Sequence, residues 1–168
     1  MLIGGEDTAR PAGVAEGSPK LVFWHLAGRT RDEVLAALAL GVANTGVPVD
    51  PDELTNRLLE RERQKCTAHG AGIAIPHCRL DQLDEVVIAA ATTEHPIDFG
   101  SADGVPIDVI FLVAGPSRSP ALILQALARV SRLLRTPGMV DRLRGAGSAE
   151  ELSEILRGAD VPRAAGVA

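Results

Sequence analysis

The sequence predicts an α/β sandwich, in which helices cover the faces of one β-sheet. Two nearly continuous apolar runs, at 84–92 and 105–114, are typical of strands that are covered on both faces. Segments with the apolar spacing of helices stand before these runs at 30–45 and 50–64, and after them at 120–135. Helices therefore come first in the chain, strands occupy its middle, and helices return.

The first elements are indicated by strand composition and by helix-start signals. Residues 21–25, with the sequence LVFWH, predict a first strand. Thr30 and Glu33 have the spacing of a capping box, which predicts the start of the first helix. Asp50 can cap a second helix, because the proline that follows it at Pro51 suits the first helical turn.

The middle of the chain carries turn and strand signals. Residues 69–72, HGAG, are expected to form a loop, and residues 73–75, IAI, a short strand. The pair His95 and Pro96 is expected to form a turn between the two long apolar strands. These segments give the predicted sheet at least four strands.

The last third of the chain is read as helical. Ser119 is a candidate cap for the helix that starts at Pro120, and a short helical segment should follow Pro137. Ser148 and Glu151 repeat the capping-box spacing before the apolar residues of a final helix. A flexible tail is expected after this helix.

Length and composition indicate one globular domain. The chain has 168 residues, of which 46% are hydrophobic but only 2% aromatic, so aliphatic side chains must fill the core. We expect a domain at 20–158, with flexible tails at 1–19 and 159–168 that are rich in Gly, Ala and Pro. Neither an apolar span of membrane length nor a signal-peptide core is apparent, which favours a cytoplasmic protein without membrane insertion.

Charge excludes one class of partner. The net charge is −5 and no cluster of Lys or Arg stands out, whereas binding to a phosphate backbone requires a basic face. Few aromatic side chains are present to stack on the bases of single strands. Nucleic acid is therefore not an expected partner, and no small-molecule cofactor is implied.

The stretch GAGIAIPH, at 70–77, places a histidine where chemistry is expected. Pro76 stiffens the backbone in front of His77, and the glycines Gly70 and Gly72 would let the loop approach a ligand closely. A neutral imidazole can act as a nucleophile near neutral pH. An incoming phosphoryl group would need a cation beside it, and Arg61 at the end of the second helix is the candidate.

Arg61-Glu62, then Thr67, then GIAIPH ending in His77 resemble the active-site signature of enzyme IIA of the fructose/mannitol class, which includes the nitrogen-regulatory enzymes IIA. The resemblance covers about residues 20–158 and implies a mixed sheet flanked by helices on both faces. It implies that His77 accepts a phosphoryl group from the phosphocarrier HPr, or a nitrogen-branch relative. His77 would pass the group to a cysteine of an enzyme IIB or hold it as a regulatory state. Arg61 would bind the phosphoryl oxygens, and Thr67 would help to shape the pocket.

One position departs from the family pattern. The family usually carries a second histidine early in the helix after the last long strand, in a setting such as HLxxLA. The matching segment here reads ILQALA, so that Ile123 stands in its place. His69, in the glycine loop, is a candidate to replace it in space.

Other interpretations of the same residues stay open. His77 could be a strand-end histidine with one backbone hydrogen bond, Arg61 a helix-end cation, and Thr67 a hydroxyl that closes a turn. The protein could be a regulatory interaction module that has weak phosphotransfer or none. It could also be a zinc-binding structural domain, because Cys66, His69, His77 and Cys78 offer four possible ligands. Against zinc, adjacent residues in an extended chain point apart.

Overall fold

The computed structural model describes residues 21–159. The tails expected at 1–19 and 159–168 lie outside the described residues, except for Ala159, which is helical. In chain order the elements are β1 Leu21–Leu26, α1 Arg31–Asn44, α2 Pro51–Gln64, β2 Ala68–Gly70, β3 Ile73–Ala74, β4 His77–Leu80, β5 Val87–Ile97, β6 Ile107–Pro116, α3 Pro120–Leu134, α4 Met139–Arg144 and α5 Ala149–Ala159. None of these helices is long and apolar enough to cross a membrane.

The strands form one mixed sheet. Its order is β1-β5-β6-β3-β2, and β4 also pairs with β6. Strand β5 runs antiparallel to β6, while β1 is parallel to β5 and both β3 and β4 are parallel to β6. Strands β3 and β4 follow one another along the same side of β6, with Ile73 opposite Val109 and His77 opposite Val113. The mixed sheet that the resemblance implied is thus confirmed.

Helices cover both faces of this sheet, as predicted. Alternate residues of the two long strands enter separate cores, because successive strand side chains point to opposite faces. Ala89 and Leu112 join the core beneath α1 and α2. Ala90 and Phe111 join the core beneath α3, α4 and α5. Burial on both faces explains why the two long strands are nearly continuous apolar runs.

The helix-start signals hold with one exception. The Thr30 hydroxyl accepts a hydrogen bond from the Glu33 N–H at 3.2 Å, and Ser148 does the same for Glu151 at 3.1 Å. The Asp50 carboxylate accepts from the N–H of Asp52 at 2.8 Å. Ser119 stands at the N-cap position of α3, but its side chain makes no capping hydrogen bond.

Two loop predictions are wrong. Part of the segment 69–72 belongs to β2, which forms a tight antiparallel hairpin with β3 instead of an open loop. The pair His95 and Pro96 lies inside β5, not in a turn. Strand β5 continues because its last residue, Ile97, pairs with Ile107 of β6, and a register shift after Thr92 accommodates the proline.

Candidate functional site

An open cleft of about 500 Å³ lies at the exposed edge of β4, between α2 on one side and α3 on the other. Strand β4 pairs with β6 along one edge only, within the part of the chain that the structure describes. The cleft brings together residues from three elements that are distant in sequence. Its lining consists of Arg57, Glu60, Arg61, Gln64, His77, Cys78, Arg79, Pro120, Ile123, Leu124 and Leu127.

His77 opens β4 and is half-buried in this cleft. The Val113 N–H donates to the carbonyl of Pro76 at 3.0 Å, which ties the backbone before the histidine to β6. The imidazole Nδ1 lies 2.8 Å from the carbonyl oxygen of Ile75. A carbonyl oxygen can only accept, so Nδ1 carries the proton and Nε2 is left with a free lone pair. The backbone therefore selects the tautomer in which Nε2 is unprotonated.

Arg61 lies in the last turn of α2 and lines the same cleft. Its Nη1 donates to the carbonyl of Lys65 at 2.9 Å, which directs the guanidinium along the end of the helix. An arginine has five N–H donors, so most remain available for an anion. The structure thus brings the proposed nucleophile and the proposed phosphate-binding cation to one site.

Two further arginines in the cleft are absent from the sequence prediction. Arg57 lines the cleft one helical turn before Arg61, and Arg79 lines it from β4. Both could have been found by periodicity, since residues four apart share a helix face and residues two apart share a strand face. With Arg61, they give the cleft three guanidinium groups against the single carboxylate of Glu60.

The opposite wall of the cleft is apolar and belongs to α3. Ile123, which replaces the family's second histidine, is only 5% exposed. It packs against the sheet at Gly115, where an added Cβ would lie 2.5 Å from the Ile123 Cγ1. Leu124 beside it is 68% exposed. The position that departs from the family pattern therefore lines the same cleft as His77 with a hydrocarbon side chain.

Thr67 is not among the cleft-lining residues. It is buried, and its N–H donates to the Glu62 carboxylate at 3.1 and 3.2 Å from the two oxygens. The Thr67 hydroxyl hydrogen-bonds the same carboxylate. Thr67 therefore bonds the Glu62 carboxylate and does not line the cleft.

The structure places His69, Gly70 and Gly72 on the β2–β3 hairpin, outside the cleft. The paired positions of Ile73 and His77 on β6 are four residues apart, or about 13 Å along a strand. The hairpin folds back before the chain reaches His77, so exposed His69 does not take the place of the missing histidine. The close approach that Gly72 permits is to the Arg144 guanidinium of α4, not to a ligand.

The four possible zinc ligands do not converge. The Cys66 thiol donates to the carbonyl of Phe99 at 3.3 Å, and His69 is exposed on β2. Cys78 is buried in the core beneath α1 and α2, and burial raises the pKa of its thiol to about 12, which opposes formation of a thiolate ligand. Within residues 21–159, no group of three or more His, Cys, Asp or Glu side chains could hold a metal ion.

Two nitrogen regulatory proteins are similar to this chain in sequence. The chain is 41% identical over 99 residues to a nitrogen regulatory protein of Bradyrhizobium diazoefficiens, which covers 59% of this chain and 65% of that protein's length. It is 33% identical over 129 residues to a nitrogen regulatory protein of Pseudomonas aeruginosa, which covers 77% of this chain and 84% of the relative.

The fold and a family model agree with these relatives. The crystal structure of the nitrogen regulatory protein IIA-Ntr from Neisseria meningitidis superimposes with a TM-score of 0.71 at 24% identity, over 81% of this chain and 92% of that one. The family model described as phosphoenolpyruvate-dependent sugar phosphotransferase system, EIIA 2, matches residues 18–159. With this match spanning the sheet, both helical layers and the arginine-lined cleft around His77, the chain belongs to the type 2 EIIA family of the sugar phosphotransferase system.

Proposed function

We propose that the chain is a histidine phosphocarrier in which Nε2 of His77 accepts a phosphoryl group from an HPr-type protein. The observation that carries this proposal is the placement of His77, with Nδ1 bound to the Ile75 carbonyl, in the same cleft as Arg61. The Nε2 lone pair forms the new P–N bond, and the bond between phosphorus and the donor breaks with its electron pair returning to the donor. A thiolate of an enzyme IIB then attacks phosphorus and forms a P–S bond. The P–N bond breaks, and its electron pair returns to Nε2.

The charge distribution supports the transfer. A transferring phosphoryl group spreads negative charge over three oxygens, so catalysis depends on positioning and on nearby cations. Arg61 provides a planar fork that can bind two of these oxygens, and Arg57 and Arg79 add positive charge beside it. These three guanidinium groups are concentrated in one cleft of a chain whose net charge is −5.

The test is phosphorylation in a defined system. The protein is incubated with phosphoenolpyruvate, enzyme I and HPr, or with the nitrogen-branch equivalents, and its intact mass is measured. We expect the wild type to gain one phosphoryl group and His77→Ala to gain none. His95→Ala, which removes a partly exposed imidazole on β5 outside the cleft, should behave as the wild type. A wild type that gains no phosphate with either donor set, or a His77→Ala that gains as much, would refute the proposal.

We infer a regulatory use of the phosphorylated state as the second candidate function. It is favoured by the two relatives described above, both of which are nitrogen regulatory proteins. A phosphoryl group on His77 would add a charge of about −1.5 to −2 beside exposed Leu124 and so change which surface a cytoplasmic partner meets. Affinity capture with phosphorylated wild type, unphosphorylated wild type and His77→Ala tests this role. Identical sets of captured proteins would count against it.

A further inference from the structure

We propose that Glu62 is a positioning residue whose buried carboxylate holds both the imidazole of His77 and the guanidinium of Arg61 in place. The inference rests on the proposed function of the cleft. Glu62 follows Arg61 in the chain, yet it does not line the cleft and cannot touch a group that is being transferred there. It acts on His77 through a short chain of hydrogen bonds, and on Arg61 through the backbone segment 65–67.

Glu62 is an unusual residue to bury. Its relative exposure is 4%, and burial of a carboxylate costs free energy unless hydrogen bonds satisfy it. Here both oxygens accept from the Thr67 N–H, and the Thr67 hydroxyl bonds one of them as well. An apolar side chain would bury similar surface without this cost, so the carboxylate is best explained by what it holds in place.

The chain of hydrogen bonds leads to His77. The carbonyl of Thr67 accepts from the Ile75 N–H at 3.0 Å. The carbonyl of Ile75 in turn accepts from Nδ1 of His77 at 2.8 Å. Glu62 therefore fixes Thr67, Thr67 fixes the peptide of Ile75, and that peptide selects the imidazole tautomer that leaves Nε2 free.

The connection to Arg61 runs through the backbone. Helix α2 ends at Gln64, and its C-cap residue Lys65 is extended and lies two residues before Thr67. The Lys65 N–H donates to the Arg61 carbonyl at 3.3 Å, and the Lys65 carbonyl accepts from the Arg61 Nη1 at 2.9 Å. Because Glu62 anchors Thr67, it sets the direction of the segment 65–67 and with it the carbonyl that orients the guanidinium.

Loss of this anchor has a specific consequence. When the Ile75 carbonyl can shift, Nδ1 is no longer held as the protonated nitrogen, and the imidazole samples the tautomer in which Nε2 carries the proton. That tautomer has no lone pair on Nε2 to attack phosphorus. Misplacement of reacting groups by about 1 Å can cost about 100-fold in rate. We therefore expect Glu62→Ala to lower the rate of His77 phosphorylation at saturating donor by about 10- to 100-fold, with little change in KM.

The decisive readout is the tautomer of neutral His77, measured by nitrogen-15 NMR of histidine-labelled protein at alkaline pH. We expect the wild type to carry the proton on Nδ1. In Glu62→Ala the spectrum should shift toward the other tautomer, and Glu62→Gln, which keeps one carbonyl oxygen for Thr67, should restore the wild-type state in part. The phosphorylation rates of the variants should fall in the same order.

A matched control separates positioning from general loss of stability. Thr92→Val also removes a buried polar group. The Thr92 hydroxyl accepts from the His25 N–H at 3.1 Å, between β5 and β1. Thr92→Val should lower the free energy of unfolding without moving the His77 spectrum. If Glu62→Ala does not fold, Glu62→Gln decides alone, since a folded Glu62→Gln with the wild-type tautomer and rate would overturn the proposal.

The NMR measurement needs no phosphoryl donor, so it separates this proposal from the one it rests on. A wild type that is never phosphorylated would remove the proposed function, while the tautomer spectra would still report whether Glu62 positions the imidazole. A phosphorylated wild type with identical spectra in all folded Glu62 variants would remove only the role of Glu62.

Discussion

Arg61 and Glu62 are neighbours in the chain, and the last turn of α2 sends their side chains to different places. Each helical residue is rotated by about 100° from the one before it, so Arg61 reaches the cleft while Glu62 points into the protein. The sequence marks both residues as part of one signature. Only the structure shows that the first faces the proposed phosphoryl group and the second holds Thr67.

Replacement of Arg61 should reveal its role in transfer. Removing one preorganised donor to developing negative charge typically costs about 100- to 1000-fold in rate. We expect Arg61→Ala to slow phosphorylation of His77 by that factor, and Arg61→Lys to recover only part of it because an ammonium lacks the planar fork. Arg63→Ala, an exposed residue of the same helical turn outside the cleft, is the control. Equal rates for Arg61→Ala and Arg63→Ala would contradict the assignment.

Cys78 should make stability depend on pH in the alkaline range. Burial raises the pKa of its thiol from 9.0 to about 12, and the nearby Arg57 charge opposes this only in part. Between these pH values the thiol ionises in the unfolded chain but not in the folded protein, so its contribution to stability falls as pH rises. The stability that wild type gains over Cys78→Ala at pH 7 should shrink by about 1.4 kcal/mol at pH 10.

Urea unfolding of the wild type and of Cys78→Ala at both pH values measures this change. Comparing the two proteins at each pH cancels the titration of the lysines and other groups that they share. A difference in the free energy of unfolding that stays constant between pH 7 and pH 10 would show that the Cys78 thiol is not held protonated by the fold.

At the scale of elements, the β2–β3 hairpin shows what the glycines of the motif do. Its turn holds three consecutive residues with positive φ, namely Gly70 at 93°, Ala71 at 54° and Gly72 at 82°. The Arg144 guanidinium of α4 closes over this turn and bonds both the Ala71 carbonyl and the Asp108 carboxylate. The glycines therefore allow the turn conformation in which Arg144 ties the hairpin to the start of β6.

Gly72→Ala should destabilise the protein more than a glycine replacement that meets no neighbour. A Cβ at Gly72 would lie 2.7 Å from the Arg144 Nη2 and 3.2 Å from the Pro106 carbonyl, so the ion pair with Asp108 must shift. Gly46→Ala is the matched control, because it has a similar φ of 92° and nothing within 4 Å. We expect Gly46→Ala to lower the free energy of unfolding by about 1–2 kcal/mol, from the backbone conformation alone. Gly72→Ala should lower it clearly more.

Urea unfolding at neutral pH measures both variants against the wild type. Since the hairpin lies away from the cleft, His77 in folded Gly72→Ala should still be phosphorylated at the wild-type rate. Equal losses in the two glycine variants would mean that the contact with Arg144 adds nothing to stability.

For the whole molecule, the position of the cleft follows from how the two helical layers meet. Helix α2 packs on one face of the sheet and α3 on the other, and the cleft opens where β4 leaves the edge of the sheet uncovered between them. One wall carries guanidinium groups and the other carries hydrocarbon. Such a cleft suits the proposed transfer, which needs cations for the phosphoryl group and an apolar surface for a donor protein.

The apolar wall should act in docking rather than in chemistry. Leu124 is 68% exposed at the cleft, and Leu40 is 51% exposed on α1, so truncation of either should change the free energy of unfolding little. We expect Leu124→Ala to raise the KM for the phosphorylated HPr-type donor several-fold while the rate at saturation is retained. Leu40→Ala should match the wild type, and steady-state transfer kinetics with purified donor would show the difference. Unchanged KM in Leu124→Ala would exclude α3 from the docking surface.

The sequence by itself determined the features whose causes lie within a few residues. The caps at Thr30, Asp50 and Ser148 were predictable because each side chain bonds an N–H two or three residues ahead. The two long strands were predictable because burial on both faces leaves a continuous apolar run. The string GIAIPH indicated the family, and with it the mixed sheet, because its residue types were matched as a set.

Only the tertiary structure decided which distant residues meet His77. Ile123 is 46 positions away and lines the same cleft, whereas His69 is eight positions away and does not, because a hairpin intervenes and the strand pairings set the distance. The continuation of β5 through Pro96 likewise depends on the pairing of Ile97 with Ile107. Such contacts form when separate segments share one sheet, and no local pattern of residues encodes that placement.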